Sequence, residues 1–179
     1  NYEVRKLVSI VEYNANRLLL LTNQLLDAEK EEQLVLNVDY RDVIKLLKLI
    51  VSNFTPFANE KNIEISLSHE NSVIFCYFDT DIIEKIVSNV VLNAIKYTNE
   101  NGRVVIGCKL TNETNTLIIT IQDNGKGISE EKLNTIFNRF YQVENTIGYG
   151  IGLSAVKQMV ESHKGIIEVN SSEGNGTCF

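Results

Sequence analysis

Four short stretches carry residues whose types and spacing could do chemistry. The first is Asn89, Asn93, Lys96 and Tyr97. Steps of four, seven and eight from the first asparagine put these side chains on one stripe of a helix. The rest of the segment is apolar: Ile82, Ile83, Ile86, Val87, Val90, Val91, Ala94 and Ile95. Asparagine is a poor mid-helix residue, so two of them one turn apart suggest a polar task. An amide oxygen can ligate a hard cation such as Mg²⁺ while the amide nitrogen holds a phosphate. Lys96 would bring positive charge to a phosphate and Tyr97 a ring to a base. A plain solvated face explains the same pattern, and the helix alone does not choose between the two.

The second stretch is Asp123-Asn124-Gly125-Lys126-Gly127, directly after an apolar run. Asp-Asn-Gly usually turns a hairpin. Here a helix signal follows rather than a strand, so the glycines serve a strand-to-helix loop whose backbone can approach a ligand closely. An aspartate ending a buried strand can accept a hydrogen bond from an exocyclic amine, which would tell adenine from guanine. The third stretch, Gly148-Tyr149-Gly150-Ile151-Gly152-Leu153, leads into a helix from Ser154. Alternating glycines before a helix start make an anion cradle of free amides and positive dipole. Taken alone it is also an ordinary turn. It is neither G-x-x-x-x-G-K-[ST] nor the dinucleotide fingerprint, because no Lys-Ser or Lys-Thr follows and no strand precedes. The fourth, Gly174-Asn175-Gly176-Thr177, reads by itself as a simple turn into a strand, with Thr177 able to point its hydroxyl into the same cavity.

The elements that must position these residues are legible in outline. Val4, Val11, Leu18 and Leu25 recur every seven positions, with Leu7, Leu21 and Ala28 in the companion positions and Asn14 as the polar interruption. This predicts a coiled-coil helix over residues 2–32, about 45 Å long, which needs a partner or must fold back on its own domain. The charged run Glu29–Gln33 reads as a hinge. A second helix is expected from an N-cap at Asp39, with Asp42 in its first turn, through Ile44, Leu47, Val51 and Phe54 to Asn62, and with Pro56 near its end. Strands are expected at Ile63–Leu67, Ser72–Phe78, Val104–Leu110, Leu117–Gln122 and Ile166–Val169, with a last one starting at Thr177. Helices are expected at Asp81–Tyr97, from a cap at Ser129 to Phe137, and at Ser154–His163, the last ended by Lys164 and Gly165. Mixed order and one hairpin point to an α+β, two-layer α/β sandwich: a mixed sheet of about five strands with three helices on one face.

Composition sets limits. The chain has 179 residues, of which 44% are hydrophobic, enough for a core. A formal net charge of -6 argues against a nucleic-acid surface. Cys76, Cys108 and Cys178 are odd in number and fit neither a disulfide framework nor a metal site, so a reducing cytosol is expected. No apolar run approaches the roughly 20 residues of a membrane helix, and residue 1 opens no signal peptide.

In this order the four stretches resemble the histidine kinase ATPase domain of the GHKL superfamily, which also holds gyrase B subunits, heat-shock-90 type chaperones and mismatch-repair ATPases. Asn89–Tyr97 is similar to the N box, Asp123–Gly127 to the first glycine box, Gly148–Leu153 to the second and Gly174–Phe179 to the third. Ile136-Phe137-Asn138-Arg139-Phe140-Tyr141 is similar to the F box, which is specific to histidine kinases within the superfamily. Asn16 to Asp27 is similar to the second helix of a kinase dimerisation stem, resembling especially hybrid kinases of gut Bacteroides-type bacteria. The resemblance implies a Bergerat-type ATP-binding fold over residues 35–179 behind a stem helix over 1–34. It implies that Asn93, with Asn89, holds Mg²⁺ against the triphosphate of ATP. Asp123 would accept from the adenine amine, Gly125 and Gly127 shape the adenine wall beside Thr177, and Tyr97 flank the base. Lys96 would approach the phosphates, and Gly148, Gly150 and Gly152, followed by Leu153, would anchor a flexible lid.

The family's acceptor histidine sits in a His-Glu-x-x-Thr-Pro setting on the first stem helix. Neither His69 nor His163 matches it, so this chain is expected to bind ATP without phosphorylating itself. The lid segment Gln142–Ile147 is short, and Gln142 stands where many relatives have arginine, with Arg139 as a weak substitute. The implied partners are ATP, a second copy through the stem, and a response regulator or fused receiver domain; nucleic acid is not among them. The implied setting is a cytoplasmic domain of a protein anchored in the bacterial inner membrane. A conformational ATPase gating dimerisation is the competing function, against which the F box and the stem speak. An inert nucleotide-sensing module is the third, against which Asn93, Asp123 and the glycines speak.

Overall fold

The computed structural model describes residues 36–111, 114–138 and 152–179. The chain divides into two compact units, Asn1–Gln33 and Leu34–Phe179, and the elements below belong to the second. The expected stem helix lies outside the described residues.

The chain enters as strand β1 (Val38–Asp42) and turns into helix α1 (Val43–Asn59). Here the structure corrects the expected N-cap at Asp39. Val38–Asp42 pairs antiparallel with strand β3 (Phe75–Asp79), so Tyr40 and Arg41 are extended and cannot open a helix. Asp39 instead forms an exposed ion pair with Arg41. Asp42 is the cap: its Oδ1 accepts the Ile44 amide at 3.0 Å and the Ile74 amide at 3.1 Å. That double role closes α1 and holds the strand opposite. The helix runs through Pro56 to Asn59, and Asn62 takes the left-handed conformation (φ 54°) that turns the chain into β2 (Glu64–His69).

Helix α2 (Thr80–Tyr97) follows β3 and is capped by Asp79. It buries Ile82, Val87, Val90, Val91, Ala94 and Ile95, as its apolar pattern predicts. Then come β4 (Arg103–Leu110), β5 (Leu117–Asp123), the single turn α3 (Glu130–Leu133), α4 (Gly152–Ser162), β6 (Asn170–Ser171) and β7 (Thr177–Cys178). Ser129 occupies the cap position of α3 but makes no capping side-chain bond, and the helix stops at Leu133 rather than Phe137. Residues Ile166–Val169, expected as a strand, lie before the ladder; only Asn170 and Ser171 pair, because the short β7 offers no longer partner. Lys164 (φ 56°) makes the turn after α4.

The main sheet has five strands in the order β2-β4-β5-β7-β6. β2 pairs with β4 in parallel, while β4–β5, β5–β7 and β6–β7 are antiparallel. The mixed five-stranded sheet with helices was thus legible beforehand; the separate two-stranded sheet β1–β3 was not. Helices α1, α2 and α4 cover one face, and the core lies between, with Ile44, Leu47 and Ile50 from α1, Val104 and Ile106 from β4 and Val156 from α4 fully or almost fully buried. Among the described residues no helix is long and apolar enough to cross a membrane. All three cysteines are free thiols, and burial, with smaller effects from Cys76 and Asp42, pushes Cys108 up to about 11.

Candidate functional site

Helix α2, which packs over β4 and β5, carries the polar stripe. Asn89 is buried (7% exposed), and its amide nitrogen donates to the Lys85 carbonyl at 2.8 Å. Asn93, one turn on, is half-buried. Lys96 folds over the ring of Tyr97 with Nζ 4.8 Å from the ring centre, a cation–π arrangement.

Asp123 ends β5 and is buried at 7% exposure. Its Oδ1 accepts the Gly125 amide at 2.8 Å, and the Thr177 amide donates to the same carboxylate. Burial pushes its carboxyl above the ordinary carboxylate value; the two amide bonds pull it back without cancelling that rise. The loop after Asp123 is pinned on both sides. Asn124 exchanges bonds with Arg103, its Oδ1 accepting the Arg103 amide at 2.7 Å and its own amide donating to the Arg103 carbonyl at 3.3 Å. Lys126 donates its amide to the Tyr97 carbonyl at 3.2 Å.

Gly125 is glycine for space: a Cβ there would collide with the Tyr97 carbonyl and come within 2.9 Å of Thr98 Cα. Gly176 is glycine for both space and backbone. Its φ is +84°, and a Cβ would strike the Asp123 carbonyl. Gly127 lies against the Ser172 carbonyl, and Gly174 donates its amide to the Lys126 carbonyl at 2.7 Å. The C-terminal end of α2, the Asp123–Gly127 loop and the Ser171–Thr177 turn therefore meet at backbone contact. They are distant in sequence and together line one place.

Thr177 is buried, with its hydroxyl 3.0 Å from Ser171 Oγ. Ser171 was not singled out from sequence, yet its hydroxyl also accepts the Ile128 amide and donates to the Gly176 carbonyl, both at 2.8 Å. It is the peg that holds the last turn to the first glycine loop. Nothing local marks it, since its partners lie 43 and 5 positions away. Gly152 opens α4, and Leu153 packs half-buried against the core. Gly148, Gly150, Arg139 and Tyr141 lie outside the described residues. Among the described residues no cluster of three His, Cys, Asp or Glu could hold a metal. A separate cavity of about 210 Å³ lies across β2, β4 and β5, lined by Ser68, His69, Lys109 and Thr120 among others, and contains none of these residues.

Comparisons with known proteins show the family and the fold. The family model "Histidine kinase-, DNA gyrase B-, and HSP90-like ATPase" matches residues 78–179. Histidine kinase P4 of Formosa agariphila is 35% identical over 99% of this chain, which spans 14% of that protein's length. Among solved structures, full-length ShkA in complex with AMPPNP superposes with a TM-score of 0.83 at 26% identity, covering 98% of this chain and 37% of that one. The complex of histidine kinase ThkA with response regulator protein TrrA superposes with a TM-score of 0.75 at 24% identity, covering 98% of this chain and 49% of ThkA. The chain thus spans less than half the length of each of these three proteins.

Proposed function

Because this chain belongs to the histidine kinase-, DNA gyrase B- and HSP90-like ATPase family, we propose that residues 35–179 are the ATP-binding catalytic domain of a sensor histidine kinase. The domain presents Mg-ATP for γ-phosphoryl transfer to a histidine on the first helix of a dimerisation stem, for relay to a response-regulator aspartate. The observation that carries this reading is the buried Asp123 carboxylate, held by the Gly125 and Thr177 amides at the meeting of three segments. A carboxylate that burial leaves under-compensated gains from one more donor, and the exocyclic amine of adenine supplies one.

The other residues take their roles from position. The Gly125 and Gly176 backbones form the wall against which the base lies, and Tyr97 flanks it. Asn93 and Asn89 are the amide pair that fits a hard cation, as oxygen donors suit Mg²⁺. When bound, Mg²⁺ neutralises charge on the transferring phosphoryl group. Lys96 lies over the Tyr97 ring and is the cation offered to the phosphates. Gly148 and Gly150 belong to the lid, which excludes water around the phosphates. Phosphoryl transfer asks mainly for positioning and charge stabilisation, so this set suffices to present ATP.

Residues 1–34 are the second stem helix in this reading. It dimerises with a second copy, and the acceptor histidine comes from the helix before it in the parent protein. The parent is a membrane-anchored bacterial sensor whose partner is a response regulator or fused receiver domain, as the ThkA complex exemplifies for its own protein.

Isothermal titration of Mg-ATP into the chain and into Asn93→Ala and Asp123→Asn tests the site. Each variant should lose about 100-fold or more in affinity; unchanged affinity in both removes the nucleotide reading. Adding the missing acceptor helix in trans should yield acid-labile phosphate on its histidine. Nucleotide hydrolysis without such phosphate would instead mark a conformational ATPase.

A further inference from the structure

An α-helix ends with four carbonyls that lack partners within it. In α2 the Thr98 amide makes the last regular bond, to the Ala94 carbonyl, and the next three carbonyls, Ile95, Lys96 and Tyr97, are satisfied from outside the helix. The Ala94 carbonyl takes the Thr98 amide at 3.0 Å and the Thr98 hydroxyl at 2.6 Å. The Tyr97 carbonyl takes the Lys126 amide at 3.2 Å. The two between, Ile95 and Lys96, are both held by one group: Nζ of Lys61, at 3.0 Å from each carbonyl oxygen. Lys61 lies in the turn between α1 and β2, more than 30 positions away in sequence. Its own carbonyl accepts the Asn101 amide at 3.3 Å, tying the same residue to the segment that leaves α2.

The placement matches two physical preferences at once. A cation is favoured at the negative end of a helix, and an ammonium offers three donors to carbonyls that would otherwise be orphaned. The clamped turn is also the one against which Gly125 packs, at the Tyr97 carbonyl and Thr98 Cα. A shift of that turn displaces the wall beside Asp123.

We infer that Lys61 is a positioning residue for nucleotide recognition: by clamping the Ile95 and Lys96 carbonyls it fixes the end of α2 on which the base-binding wall is built. This rests on the nucleotide reading above. Lys61 touches no nucleotide and acts only through the helix end. Its effect should therefore fall mainly on the base and much less on the phosphates, whose asparagine contacts, Asn89 and Asn93, lie further up the helix, with Lys96 alone at the clamped end.

The experiment uses the whole 179-residue chain and two probes, Mg-ATP and Mg-tripolyphosphate, with thermal melting as control. Lys61→Met should weaken Mg-ATP by roughly tenfold, the scale of one charge-assisted hydrogen bond, and tripolyphosphate by less than about twofold. Lys61→Arg, which keeps charge and donors, should recover most of the ATP affinity. Should the methionine variant not fold, Lys61→Gln, which keeps a donor without charge, is read the same way. Amide exchange adds a ligand-free readout: the Lys126 amide should lose protection in the variant while the centre of β5 keeps it. Equal losses for both probes in proportion to melting temperature, without arginine rescue, would reduce Lys61 to a general stabiliser and overturn the inference. So would wild-type affinity in the methionine variant. Failure of the wild-type chain to bind Mg-ATP at all would sink the nucleotide reading and this one with it.

Discussion

Two buried aspartates close two strands of this domain, and burial acts on both, yet their acidities move in opposite directions. Asp79, at the end of β3, is 5% exposed and Asp123, at the end of β5, is 7% exposed. Burial pushes the Asp79 carboxyl up, but the amides of Asn37, Ile82 and Asp81 donate to it and His163 stands beside it, and the sum holds it below the ordinary carboxylate value. Burial pushes Asp123 up as well, and the amides of Gly125 and Thr177 do not reverse it. The difference is one of donors. Asp79 caps a helix, where amides are plentiful, and also binds the Asn37 amide at 2.7 Å. Asp123 sits at the mouth of a loop with fewer donors aimed at it. A saturated buried carboxylate stabilises a fold, whereas an unsaturated one has room for a ligand.

The largest expected effect that tests this contrast is functional. The loss of about 100-fold in Mg-ATP affinity expected for Asp123→Asn should have no counterpart at Asp79→Asn, where titration should find affinity within about threefold of the parent. Equal losses at both sites would dissolve the distinction. Next in size is a stability effect with the opposite assignment. Asp79→Ala removes the cap of α2 and leaves several buried amides without a partner, so urea unfolding should show a cost of about 2–3 kcal/mol. Asp123→Ala should cost less than Asp79→Ala in the same measurement.

The smallest effect is the most diagnostic, because its sign differs. The folded-state value of Asp79 is depressed, so its contribution is fully present above the ordinary value of 3.8 and is lost as pH falls through the lower folded value. Asp123 has a raised folded value, so its contribution is fully present below 3.8 and is lost as pH rises through the folded value. Urea unfolding of the parent and of the two asparagine variants should therefore separate. Between neutral pH and about pH 4 the parent should gain on Asp123→Asn as acid is added, while its margin over Asp79→Asn stays flat. Below that range the margin over Asp79→Asn should shrink. Parallel pH curves for the two comparisons would refute a difference in donors between the two carboxylates.

The same contrast explains which residues could be picked out from sequence. Asp123 announces itself through the glycines that follow it, because a loop whose backbone must touch other backbone needs residues without side chains. Asn89 and Asn93 stand out because they are polar in an otherwise apolar helix. Asp79 carries no such mark; an aspartate before an apolar helix is an ordinary cap, and the helix was expected to begin two residues later. The N-cap of α1 was assigned to Asp39 instead of Asp42 for a related reason. Local propensity sees two candidate caps three residues apart, and only the pairing of Val38–Asp42 with β3 selects between them. That pairing was illegible because four of the five β1 residues are exposed, so no alternation of burial is written in them. Ser171 and Lys61 were illegible because their partners are remote.

By itself, then, the order of polar residues and glycines along the chain determined the fold class and marked the end of α2, the Asp123–Gly127 loop and the turn before Thr177 as segments the fold brings together. Periodicity reports which face of an element is buried, and a glycine reports where backbone must pass close to backbone; both are local properties that survive in a linear string. Tertiary structure alone decided which cap, which hydroxyl and which ammonium complete that site. Hydrogen-bond satisfaction is a matter of distance in space, and a donor 30 or 40 positions away leaves no periodic trace of the carbonyl or carboxylate it serves.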